Sequence, residues 1–231
     1  MGSTVGSSAE QTLDNLRVGL FPLPNVVLFP LAVLPLHIFE ERYKRMTADA
    51  IKGSRRIAMA LYCPGWESNY YGSATIEPVV CVGTILSHER LEDGRYNLLL
   101  RGDARARIVR EVPGNRPYRM AELQALAEQR PIELDLEAQR CKLRRIFCCG
   151  PIAGTSVGRQ FAKLVASPLP TVNLADLIAF NLLEDAKLKQ SFLAEPDGLK
   201  RVGRVIEAME LAVPMLAAKL HKPDAGAINL N

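Results

Sequence analysis

Apolar residues run almost unbroken from Leu20 to Phe39, LFPLPNVVLFPLAVLPLHIF, and give way at once to the charged stretch EERYKRM. Only Asn25 and His37 are polar within that run. About 20 apolar residues suffice to cross a bilayer as a helix, but prolines stand at positions 22, 24, 30 and 35. Each proline inside a helix removes a backbone donor and costs roughly 3 kcal/mol. The run therefore predicts buried, interrupted strands with rigid corners rather than a span, and no membrane association. His37 reads as a core histidine with its hydrogen bonds met, because an unpartnered polar group is costly to bury.

The pattern then changes. Tyr43, Met46 and Ala50 recur on one face of a helix from about Glu40 to Lys52, with Gly53 as its stop. Arg56 to Tyr62 reads as a buried strand, and the loop CPGWESNYYG after it has no regular period. Cys81–Glu89 and Tyr96–Leu100 are strand-like and joined across LEDGR, whose Asp93-Gly94 pair is a strong hairpin signal. Gly102-Asp103 predicts another turn before a third strand, Ala104–Val112, which completes an antiparallel meander.

Beyond about Arg130 the period lengthens to that of helices. Leu136, Leu143 and Ile146 or Phe147 lead to a stop at Gly150-Pro151, and Val157, Phe161, Leu164 and Val165 mark a second helix. Asn173, with Asp176 three residues on, is the expected N-cap of a helix through Leu183. A short helix through Leu188 and Phe192 follows. Leu199, Val202, Ile206, Met209, Val213, Leu216 and Leu220 then form a heptad seam. Pro214 interrupts it, which favours packing within the chain over a coiled-coil dimer. The expected organisation is a flexible tail (1–19), a β-rich subdomain (20–128), a helical subdomain (129–222) and a C-terminal tail (223–231). Strands first and helices second make this an α+β protein.

Composition narrows the chemistry. The five cysteines form no CxxC pair, and without a secretion signal they read as reduced core side chains of a cytoplasmic protein. The net charge is +4, and between Arg101 and Arg119 six arginines face only Asp103 and Glu111. Arg101, Arg105, Arg107, Arg110 and Arg119 are thus candidates for a basic surface that meets nucleic acid or an acidic partner. The alternative is an ordinary solvated face. No GxxxxGK[ST] loop is present for ATP, and His37, His88 and His221 are too scattered for a metal site. Ser156 and Lys163 are too far apart along one helix for a dyad. No cofactor, no metal and no catalytic activity are expected.

The segments LFPLPNVVLFP (20–30), LPLHIFEERYKRM (34–46) and VGTILSHERLEDGRYNLLLRGDARARI (82–108) together resemble the N-terminal, substrate-binding domain of Lon-type ATP-dependent proteases. NLADLIAFNLL (173–183) is similar to the helical subdomain of the same family. The resemblance extends from about Leu20 to Leu220 and implies a β-rich pseudo-barrel with one helix, followed by a helical bundle. In the full-length proteases this domain precedes ATPase and Ser-Lys peptidase modules and helps to select protein substrates. Neither module has a counterpart in this sequence, so the resemblance implies a stand-alone binding domain with no catalytic residue to carry over. Its expected partners are unfolded or exposed polypeptide segments and a separate ATP-dependent protease; RNA binding through the arginine-rich meander is the alternative. For polypeptide contact the candidate residues are Tyr62, Trp66, Tyr70 and Tyr71, four of the fourteen aromatics within a short loop, since aromatic anchors bury much area at low rotamer cost; the alternative is that they fold back to cover the barrel.

Overall fold

The computed structural model describes residues 16–70, 72 and 74–220, so positions 1–15 and 223–231 of the expected tails lie outside the described residues. In chain order the elements are β1 (Leu16–Leu23), β2 (Val33–Ile38), α1 (Glu41–Lys52), β3 (Arg56–Leu61), β4 (Val79–Arg90), β5 (Tyr96–Glu111), β6 (Met120–Ala125), α2 (Glu137–Arg144), α3 (Ser156–Ala166), α4 (Thr171–Leu182), α5 (Ala186–Leu193) and α6 (Gly198–Leu220). The architecture is α+β. Two compact units emerge, one reaching to Ala127 and including Asp185–Ala194, the other formed by Glu128–Glu184 and the chain from Glu195 onward.

In the first unit the strands lie in the order β2-β5-β4-β3-β1-β6, and a further β5–β6 pairing closes five of them into a barrel. Alternate residues fill it: Val18 and Leu20, Ala58 and Ala60, Val80 and Val82, Ala106, and Ala121 and Leu123 are all buried. Small alanines between branched residues let the facing strands approach closely, as a narrow barrel requires. Val18 belongs to this interior, and β1 accordingly begins within the stretch read as a tail. The chain returns to the barrel through a parallel β1–β3 pair, while the region read as a meander, 81–112, pairs antiparallel as β4 and β5. β6, unseen in the sequence pattern, pairs antiparallel with β1.

β5 is continuous through Gly102-Asp103, where the sequence predicted a turn. A Cβ at Gly102 would lie 2.0 Å from the Phe29 carbonyl oxygen, so the glycine admits the crossing 29–32 segment rather than reversing the chain. Leu31 N–H donates to Gly102 O, and Gly102 N–H donates to Ala32 O, both at 2.8 Å. The first half of β5 pairs with β2 on one side and with the distal half of β4 on the other, making a three-stranded wing that continues out of the barrel. α5 packs on the same unit, where Gln190 Nε2 donates to Val79 O at 2.8 Å.

The second unit surrounds α4, which is buried on most of its circumference. Phe147, on a π-helical turn at Arg145–Cys149, stacks on Phe161 of α3 at 5.2 Å. The expected Asn173 cap is not used. The helix starts at Thr171, and Glu133, distant in sequence, accepts from Thr171 N–H at 2.8 Å and from its hydroxyl at 2.7 Å. A carboxylate placed there meets an orphan donor and the positive end of the helix together. Val202, Ile206, Met209 and Val213 of the α6 seam are buried against this unit's own helices, while Leu211 and Met215 stand in solvent. The cysteines divide in a way the core reading did not anticipate: Cys81 is buried, but Cys141, Cys148 and Cys149 are exposed.

Candidate functional site

The aromatic loop leaves β3 at Tyr62, turns at Gly65 in the left-handed region (φ 84) and enters a short 3-10 helix at Trp66. Trp66 stacks on Tyr62 at 5.2 Å, and Tyr70 meets the Trp66 ring edge-on at 5.5 Å. Three of the four predicted residues therefore come together; Tyr71 lies outside the described residues. They form a cluster turned largely inward, with Tyr62 buried and Trp66 and Tyr70 half-buried.

The loop is latched to α1. The Arg42 guanidinium sits 4.6 Å from the Tyr43 ring centroid and 4.5 Å from that of Tyr70. It donates to Glu40 at 3.0 Å and to the Tyr70 carbonyl at 3.1 Å, while Tyr70 Oη donates to Glu40 at 2.5 Å. Burial, and then the bond to the Glu40 carboxylate, push the Tyr70 hydroxyl up to about 12. Burial beside Tyr62 drives the Tyr43 hydroxyl well above the ordinary phenol range. Both stay protonated near neutrality. Nearby, burial and the adjacent Glu77 carboxylate raise the Cys63 thiol, which makes it a poor nucleophile.

The arginine surface is mostly matched within its own unit. Arg101 bonds Asp103 at 3.1 Å, Arg110 bonds Glu122 at 2.7 Å, and Arg119 bonds Glu111 together with the Ala74 carbonyl. Arg105 is only 2% exposed and donates to the Leu193 carbonyl at 3.0 Å, an anchor for α5. Arg107 is exposed on β5.

A further surface, not singled out by sequence reasoning, lies on the wing. Pro35, Leu99 and Ser87 are register partners across β2, β5 and β4, as are His37, Asn97 and Glu89. With their neighbours they line an open groove of about 580 Å³. His37 is exposed there, not buried as predicted, because its strand faces water on this side. Arg95 Nη1 approaches His37 Nε2 at 3.2 Å, His37 Nδ1 lies 2.7 Å from Asn97 Oδ1, and Asn97 Nδ2 donates to Glu89 at 3.3 Å. One tautomer, with the proton on Nδ1, satisfies this whole chain. Beside it Phe39 is 64% exposed and stacks on His37, and Leu86 is 44% exposed at the β4 bulge. The alternation Pro35-x-His37 hinted at an outer face, but the register that assembles the groove appears only when the strands pair.

Among the described residues no group of three or more His, Cys, Asp or Glu side chains could hold a metal ion. Nor is any described helix long and apolar enough to cross a membrane. Residues 17–210 match the ATP-dependent protease La (LON) substrate-binding domain. The chain belongs to that family. Lon protease 2 of Desulfotalea psychrophila is 30% identical over 75% of this chain and 22% of its own length. Lon protease of Desulfosudis oleivorans is 21% identical over 90% of the chain and 26% of its own length. The chain thus spans about a quarter of the curated Lon relatives it matches. In fold it is similar to the N-terminal domain of a Mycobacterium avium complex Lon protease, with a TM-score of 0.67 at 16% identity, covering 84% of this chain and 98% of that one. A Lon N-terminal domain protein from Xanthomonas campestris gives a TM-score of 0.58 at 20% identity, covering 83% and 98%. LON-domain membership accounts for the barrel-then-helices order and supports a substrate-recognition module.

Proposed function

We propose that this LON-domain chain is a non-catalytic module that binds exposed apolar segments of polypeptides, with a separate ATP-dependent protease as its functional partner. The observation that carries the reading is the open wing groove, where Pro35, Leu36, Leu98 and Leu99 line the floor beside the polar row His37, Asn97 and Glu89, with Phe39 and Leu86 exposed on the adjoining chain. A large exposed apolar patch with a polar rim is the usual mark of an interaction site. An entering segment would set one apolar side chain against Pro35 and Leu99 and direct its backbone polar groups to the His37–Asn97 row. The aromatic loop is the second contact, through Trp66, while Tyr62 and Tyr70 hold that ring in place.

Replacing Phe39 and Leu86 together by aspartate is expected to weaken binding to a permanently unfolded model protein at least about tenfold, with the fold intact. Trp66→Ala should weaken it less. Unchanged affinity in the Phe39/Leu86 variant, and in a Leu99→Asp variant that keeps its fold, removes this face of the wing as the contact surface.

A further inference from the structure

Arg45, Asp49 and Lys52 stand at i, i+4 and i+7 of α1 and so share one helix face. With Gly53 and the turn Asn115-Arg116-Pro117 between β5 and β6 they line a cleft of about 610 Å³. Tyr118, 8% exposed, ties the two walls together by donating to Asp49 Oδ2 at 2.9 Å. The other Asp49 oxygen lies 3.4 Å from Arg45 Nε. The single carboxylate of the cleft is therefore engaged, and three cations surround it. The C-terminal end of α1 adds a negative charge of roughly one half, too little to cancel the excess. Lys52 and Arg116 are both exposed to an incoming anion.

We infer that this cleft binds acidic stretches of the polypeptides the chain recognises, an inference that rests on the reading proposed above. A nucleic-acid backbone repeats its charge at short intervals and favours a continuing cationic track. Beyond this cleft the nearby arginines are held in ion pairs, Arg119 with Glu111 and Arg110 and Arg17 together with Glu122. A compact cationic cleft bounded by arginines already engaged with carboxylates suits two or three carboxylates close together in sequence. It would bring acidic segments to the unit quickly and hold them weakly, with an affinity that falls as salt rises.

The test uses the whole chain and fluorescence anisotropy at low salt with four probes: a peptide of consecutive glutamates, a matched peptide of glutamines, a single-stranded RNA of equal length, and an unfolded model protein free of acidic runs. The glutamate peptide should bind and the glutamine peptide should not. Lys52→Gln with Arg116→Gln should weaken the glutamate peptide about tenfold, while leaving the thermal midpoint and the binding of the unfolded protein unchanged. The inference is overturned by equal binding of the two peptides, by an affinity indifferent to the double substitution, or by RNA that binds more tightly and is lost with the same two side chains. In each of those cases retained binding of the unfolded protein leaves the proposed function standing; its absence in the unsubstituted chain would remove that function instead.

Discussion

The sheet unit and the helical unit satisfy their buried polar groups by different means. In the sheet unit the barrel ladder pairs backbone with backbone, and its interior is alanine, valine and leucine. In the helical unit, long charged side chains do much of that work. Arg140, 8% exposed, donates to the carbonyls of Val165, Ser167 and Leu169, which lie at the corner between α3 and α4. Arg201, fully buried, reaches the Glu195 carbonyl at 2.7 Å and the Glu128 carboxylate at 3.0 Å, and its Nε lies 3.2 Å from Asp176. That last contact is an ion pair without hydrogen-bond alignment. Helices meet at corners whose last carbonyls lack partners, and a guanidinium with five donors can serve several at once. A closed barrel has far fewer such ends.

The contrast is broken most directly at Arg201. Arg201→Met should cost about 3–5 kcal/mol, because it removes the buried cation from between the buried carboxylates of Asp176 and Glu128. Urea unfolding of the whole chain measures this; a loss under about 1 kcal/mol would mean that the carboxylates recover their hydration and the charged centre is dispensable. Arg140→Ala comes next, with an expected loss of about 2–3 kcal/mol from carbonyls left unmet at the α3–α4 corner. Faster amide exchange in the first turn of α4 should accompany it.

The sheet unit answers to alkali. Burial first, and then the carboxylates of Glu40 and Asp49, push the Tyr70 and Tyr118 hydroxyls up to about 12 from an ordinary 10.0. A phenol whose folded-state pKa is raised holds its proton more tightly when folded, so its stabilising contribution is whole below pH 10 and is lost as pH climbs towards 12. Phenolate absorbance and circular dichroism followed together should show titration coupled to loss of structure. Tyr70→Phe, which removes the bond to Glu40, should cost about 1 kcal/mol and flatten that alkaline limb. The smallest effect is expected for Arg110→Gln. Its partner Glu122 lies at 2.7 Å but the arginine side chain is 55% exposed, so the thermal midpoint should shift by the equivalent of less than about 0.5 kcal/mol.

These two ways of satisfying polar groups also explain what could be read from the sequence. Apolar periodicity locates α1, β3 and the α6 seam well, because each depends on which residues face a core. It misplaces features set by partners far along the chain. Asn173 looks like a cap, but Glu133 does the capping from 38 positions away. Gly102 looks like a turn because a glycine tolerates turns, whereas here it admits the crossing backbone at Phe29. The Tyr62–Trp66–Tyr70 cluster was legible because its members are neighbours in the chain. The wing groove was not, since it brings together Pro35, Ser87 and Leu99 only through strand register.

The placement of α5 has a consequence for how the chain is made. Arg105 donates to the Leu193 carbonyl and Val79 O accepts from the Gln190 amide, so the barrel has buried polar groups with partners synthesised 88 and 111 residues later. The helical unit draws on a late residue too, since Arg201 pairs with both Glu128 and Asp176. Leu193 emerges before Arg201, so the sheet unit has its late partners first and the helical unit closes after it. A fragment cut near Ala127 would therefore be an incomplete barrel, without the Leu193 carbonyl that its buried Arg105 bonds and without the Gln190 amide that meets Val79.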